Sequence, residues 1–136
     1  MPKIAILEDR LSYATDLKIL LEIALPAADI QIFPNVDEAL VALDSPADWD
    51  VWIVDLMMAS GDNITPEEAE HGLATGRVFI QRLIASGSLG NGKIFVVTSR
   101  NTDDDNFDSI SEQIIEFQKS EATQVDIAKE VSSLFR

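Results

Sequence analysis

The sequence predicts an α/β protein in which helices cover both faces of a five-stranded parallel sheet. Three observations carry that expectation. Short apolar runs recur along the 136 residues, helical segments with one apolar face follow them, and the runs end in acidic or polar residues. Strands that alternate with helices pack as a doubly wound sheet, because right-handed crossovers leave few other routes. A binding site in such a sheet lies outside the carboxyl ends of the strands.

Residues 3–7 (KIAIL) are an apolar run that ends in Glu8 and Asp9, as a buried strand opening onto a loop does. Between 11 and 25, Leu17, Leu20, Leu21 and Leu25 recur at helical spacing, and Pro26 stops the helix. Residues 29–33 (DIQIF) alternate as a strand, and Asn35 with Glu38 forms an N-cap box for the helix VDEALVAL. Residues 50–55 (DVWIVD) hold four apolar residues in a row, the pattern of a central strand covered on both faces, and stop at Asp55.

A polar connection, ASGDNITPEEAEHG, comes next. Strand-to-helix connections commonly run to ~2–6 residues, so the stretch at about 59–76 reads as an insertion. It is either a tolerated surface loop or a lid or docking element beside Asp55. Val78, Ile80, Leu83 and Ile84 then mark a helix ending near Gly87. Residues 93–97 (KIFVV) deliver Thr98 and Ser99 to the same edge of the sheet. The stretch 103–119 suits one helix by the spacing of Phe107, Ile110, Ile114 and Phe117, or a helix over 103–111 followed by a strand over 113–118. The β-branched pair Ile114 and Ile115, with the alternation of the chain, favours the second reading. In 121–135, Val125, Ala128, Val131 and Phe135 share one helical face.

The length suits one domain over 1–136. No apolar run approaches the roughly 18–20 residues of a membrane span, and charges within the first ten residues argue against a secretory leader, so a cytoplasmic protein is expected. There is no cysteine and only one histidine, His71, so a bound metal must be held mainly by oxygen. Twenty-four acids against ten Lys and Arg give a net charge of −14, which repels nucleic acid and anionic lipid alike. Most of these acids, including Asp62, Glu67, Glu68 and Glu70, belong to a solvated surface. Trp49 and Trp52 read as core and rim aromatics, and His71 as an ordinary loop histidine.

Glu8, Asp9, Asp55, Thr98 and Lys119 all fall at strand ends on one edge of the sheet, and their joint pattern discriminates where each alone does not. Through ILED, VDLMM, VVTS and FQKS, in that order, the chain resembles response-regulator receiver domains, flavodoxin-like modules of two-component phosphorelays, over nearly its whole length. The resemblance implies strand order 2-1-3-4-5 and Asp55 as the phosphoacceptor. It implies Mg²⁺ held by Glu8, Asp9, Asp55 and the backbone carbonyl of Met57, with Lys119 neutralising the phosphoryl group. Thr98 would donate its hydroxyl to a phosphoryl oxygen, and small Ser99 would leave that group room. A histidine kinase or phosphotransfer protein is the implied donor and another protein the implied target. The oligomeric state, a homodimer included, and the presence of an output domain in a longer chain are left open. The chemistry stands on general grounds too, since Mg²⁺ takes oxygen ligands and a carboxylate can attack a phosphoryl donor in line.

The sequence departs from the family pattern at three places. The proline common shortly after the phosphoacceptor is replaced by Met58 and Ala59, and the proline after the lysine by Ser120. The aromatic expected three residues before the lysine is Glu116, with Phe117 one place later, so either the register slips or the aromatic is lost. Two other functions compete. One is a pseudo-receiver that binds proteins independently of phosphate. The other is a Mg²⁺-dependent phosphohydrolase, disfavoured because Met57 stands where a second acid would act.

Overall fold

The apolar runs become β1 (Lys3–Leu7), β2 (Asp29–Phe33), β3 (Val51–Val54), β4 (Lys93–Thr98) and β5 (Ile114–Gln118), all parallel, in the order β2-β1-β3-β4-β5. The computed structural model describes residues 1–44, 49–103 and 105–135, and of residue 108 the backbone alone. Between the strands run α1 (Leu11–Ala24), α2 (Val36–Ala42), α3 (Thr75–Ser86), the single turn α4 (Phe107–Ile110) and α5 (Gln124–Ser133).

Local chemistry fixes most boundaries. The Asn35 side chain accepts from the Glu38 N–H at 2.9 Å and opens α2. Gly87 closes α3 in the left-handed region at φ 75°, where a Cβ would be strained. Two expected helices differ. Of the helix expected over 103–111, in which residue 104 lies outside the described residues, only Phe107–Ile110 is helical, because Asn106 is left-handed at φ 51° and Asp105 is engaged in an ion pair. The helix expected over 121–135 begins at Gln124, where Thr123 and Asp126 form a capping box; its buried face is Ile127, Ala128 and Val131, with Val125 exposed.

The alternation of side chains along the strands divides the core. Ile4, Ile6, Val51, Ile53, Phe95 and Val97 face α1 and α5, joined there by Leu17, Leu21, Ile127 and Val131. Ala5, Leu7, Trp52, Val54, Ile94 and Val96 face α2 and α3. Trp52 is fully buried and packs against Phe33, Trp49 and Phe79 with ring centroids 4.9–5.3 Å apart, so both tryptophans are core residues. With both faces covered, all the strands point their carboxyl ends at one edge.

Candidate functional site

β1 ends at Leu7, and the next two residues stand at that edge, Glu8 buried and Asp9 exposed. Asp55 follows β3 and is only 7% exposed; its N–H bonds to the Leu7 carbonyl at 3.0 Å, which fixes it beside Glu8. One carboxylate oxygen from each of Glu8, Asp9 and Asp55 falls within 4.8 Å of the others. Lys119 follows β5, which β3 and β4 separate from β1 in the sheet, and its Nζ donates to Glu8 Oε1 at 2.7 Å and to Asp55 Oδ2 at 3.1 Å. Its backbone N–H bonds the Thr98 carbonyl at 2.9 Å. Thr98 is fully buried at the end of β4, and its Oγ1 accepts from the Arg100 N–H at 3.4 Å. Ser99 is exposed beside it. The Met57 N–H donates to Asp55 Oδ1 at 3.3 Å, so the chain after Asp55 curls back over the carboxylate.

Three carboxylates and one ammonium leave this pocket short of positive charge. Burial, the largest influence, pushes the Glu8 carboxyl up to about 7, with the neighbouring Asp55 charge adding to it and the Lys119 hydrogen bond opposing it. Burial pulls the Lys119 ammonium the other way, but its bonds and charge contacts with Glu8 and Asp55 outweigh that, and the net shift is upward. Lys119 therefore stays charged, and Glu8 shares the local excess by holding a proton near neutrality. An all-oxygen donor set with excess negative charge fits a hard divalent cation such as Mg²⁺.

Sequence reading missed several residues that shape the site. The Tyr13 ring, from the first turn of α1, lies under Lys119 Nζ at 4.3 Å from the centroid. Its hydroxyl is buried without a hydrogen-bond partner among the described residues. Gly76, in the first turn of α3, sits so close to Asp55 that a Cβ there would lie 2.3 Å from the Asp55 carbonyl oxygen. Nothing in the sequence signals either contact, since one is made across 106 residues and the other by the absence of a side chain.

The segment at 59–74 is bound to its surroundings at several points. Ile64 and Ala69 are buried in the core on the α2 and α3 side. Asp37 of α2 accepts from the N–H groups of Asp62 and Asn63. Arg82 of α3 donates to the Asn63 carbonyl and pairs with Glu68 at 3.7 Å. Nearer the site, the Met58 N–H bonds the Gly72 carbonyl at 3.0 Å and the Thr75 hydroxyl bonds the Met58 carbonyl at 2.7 Å. The expected solvated acids Asp62, Glu67, Glu68 and Glu70 are exposed, although Glu68 and Glu70 also form ion pairs. His71 is exposed in the same segment.

The register of β5 settles the aromatic question. Glu116 pairs with Val96 and is exposed, while Phe117 pairs with Val97 and stacks on Phe95 at 5.7 Å, on the α1 and α5 face. Lys119 reaches Glu8 and Asp55 in this register, so no slip occurs and the expected aromatic position holds an acid.

No family model and no curated protein matches the sequence. Solved structures do resemble the chain. The signal receiver domain of a DNA-binding response regulator from Colwellia psychrerythraea is 23% identical with a TM-score of 0.68, the likeness covering 99% of this chain and 98% of that one. A two-component response regulator from Clostridium difficile is 18% identical with a TM-score of 0.70 over 100% of this chain and 98% of its own. A chemotaxis protein from Vibrio cholerae is 16% identical with a TM-score of 0.69, over 98% of each chain. At these identities the likeness shows the fold: the chain has the receiver-domain fold, with strand order 2-1-3-4-5 as expected. No helix among the described residues is long and apolar enough to cross a membrane.

Proposed function

We propose that this chain, with its receiver-domain fold, is a phosphorylation-dependent switch in two-component signalling. The observation that carries the reading is the Lys119 ammonium bridging Glu8 and Asp55 at 2.7 and 3.1 Å, beside three carboxylates that fit a divalent cation. In this reading residues 1–136 are one receiver domain, the stretch at about 59–76 is an insertion in it, and the protein works in the cytoplasm through protein partners.

Asp55 is the phosphoacceptor. A carboxylate oxygen attacks the phosphorus of a phosphohistidine on a kinase or phosphotransfer protein; the P–N bond breaks, its electron pair returns to the imidazole, and an acyl phosphate forms. Lys119 steadies the incoming phosphoryl oxygens from its seat between Glu8 and Asp55, Thr98 turns its hydroxyl toward one of them, and the small Ser99 leaves them space. Glu8, Asp9, Asp55 and the backbone carbonyl of Met57 would hold Mg²⁺, which supplies further charge neutralisation on those oxygens. Water later cleaves the acyl phosphate and restores Asp55. Output passes to another protein rather than to nucleic acid, because a net charge of −14 opposes a phosphate backbone.

The test is to incubate the protein with Mg²⁺ and either acetyl phosphate or beryllofluoride, following intact mass and thermal stability. An adduct or stabilisation that vanishes in Asp55→Asn supports the switch, and a bound ligand at 100 times its dissociation constant stabilises by about 2.7 kcal/mol. Lys119→Ala should slow labelling by about a hundredfold, the scale of losing one positioned charge donor. No Asp55-dependent response to either reagent would favour the pseudo-receiver, a reading the exposed Glu116 and the turned-away Phe117 also support. Steady phosphate release from many esters would favour the phosphohydrolase.

A further inference from the structure

Two loops flank Asp55, one after β3 and one after β4, and residues 70–73 bridge them. On one side the Met58 N–H bonds the Gly72 carbonyl at 3.0 Å. On the other, Arg100 Nε donates to the Leu73 carbonyl at 2.7 Å. The Arg100 guanidinium also grips Asp105 through two bonds of 2.6 and 2.9 Å, and Arg77 of α3 meets the same carboxylate at 3.6 Å and Glu70 at 3.5 Å. Asp105 is 6% exposed, so a bidentate pair shielded from water fixes this junction. The bridge itself is strained: Glu70, His71 and Gly72 are left-handed in succession, at φ 50°, 56° and 96°, and two of them carry side chains. Residues 61–69 are anchored independently, through Asp37, Arg82, Ile64 and Ala69, so loosening the junction frees 70–73 alone.

We propose that Arg100 is a positioning residue that carries the state of Asp55 to residues 70–73, so that the insertion, not the face of β5, is the surface that changes. The inference rests on the phosphorylation reading above. Thr98 Oγ1 accepts from the Arg100 N–H at 3.4 Å. When that hydroxyl turns to donate to a phosphoryl oxygen it leaves Arg100, and the displaced residue draws its side chain off Leu73 and Asp105. The β5 face has no comparable route, since Phe117 is stacked on Phe95 on the opposite side of the sheet.

Hydrogen exchange read by mass spectrometry on the 136-residue protein with Mg²⁺, with and without beryllofluoride, tests this. The N–H groups of Gly72 and Ala74, both bonded to the Ala69 carbonyl, and that of Leu73, bonded to the Glu70 carbonyl, report the bridge. In the unsubstituted protein beryllofluoride should speed their exchange by about fivefold, as expected for a local opening. Arg100→Gln and, independently, Asp105→Asn should exchange fast from the start and respond no further, while keeping the thermal shift on adding beryllofluoride. A thermal shift with unchanged exchange at 72–74, or a full response in both variants, overturns the inference and leaves the switch standing. No thermal shift in the unsubstituted protein overturns the switch and this inference with it.

Discussion

Glu8 is buried among like charges, and its proton leaves only near pH 7 rather than at 4.5. The folded state therefore holds that proton where the unfolded chain has lost it, and stability falls as pH rises from about 4.5 through 7. Chemical denaturation in metal-free buffer should show this decline, and Glu8→Gln should flatten it; a flat profile in the unsubstituted protein would contradict the burial argument. Because a bound cation displaces the proton, Mg²⁺ affinity should rise over the same window. Tyr13 makes a second residue-scale prediction. Tyr13→Leu removes the ring beneath Lys119 and should cost about 1 kcal/mol. Tyr13→Phe keeps the ring, drops a buried hydroxyl with no partner, and should leave stability unchanged or raise it.

At the scale of elements, the entry to α3 is set by closeness to the site. Gly76→Ala would drive a Cβ to 2.3 Å from the Asp55 carbonyl oxygen, so α3 or the loop after β3 must move. The expected outcome is a loss of about 2 kcal/mol or more, read by denaturation, together with weaker beryllofluoride binding. The apolar and capping patterns made α1, α2 and α3 legible, because each carries its own start or stop signal. α4 does not extend over 103, 105 and 106, because propensity has no knowledge of the Arg100 and Asp105 pair that claims these residues. The start of α5 is legible in principle, through Thr123 and Asp126, and the stripe of Ala128, Val131 and Phe135 does face the core, but Val125 in that stripe is exposed and Ile127 is buried instead.

Across the whole molecule, the sheet brings together residues from positions 8, 55, 98 and 119, and its stability rests on two independent apolar layers. Trp52→Ala, in the layer on the α2 and α3 side, should cost about 3–5 kcal/mol, measured by denaturant unfolding. Because the substituted side chain lies on the sheet's face and not at its edge, the variant should still bind beryllofluoride where it remains folded. A concavity of about 450 Å³ lined by Trp49, Asp50, Leu89, Gly92, Lys93 and Phe135 lies at the opposite, amino-terminal ends of β3 and β4, remote from this chemistry.

The sequence by itself determined the order of elements, the parallel sheet and the placing of Glu8, Asp9, Asp55, Thr98 and Lys119 at one edge, since apolar runs and their acidic endings are local features. Only the tertiary structure decided which face Phe117 occupies, because that depends on pairing β5 with β4 so that Lys119 reaches Asp55. It alone decided the role of Tyr13, Gly76 and Arg100, whose partners lie far along the chain or are backbone atoms with no side-chain identity. It also showed residues 59–74 held to α2, α3 and the loop after β4 by ion pairs, carbonyl contacts and a few buried apolar side chains, interactions that leave no periodic trace in a sequence.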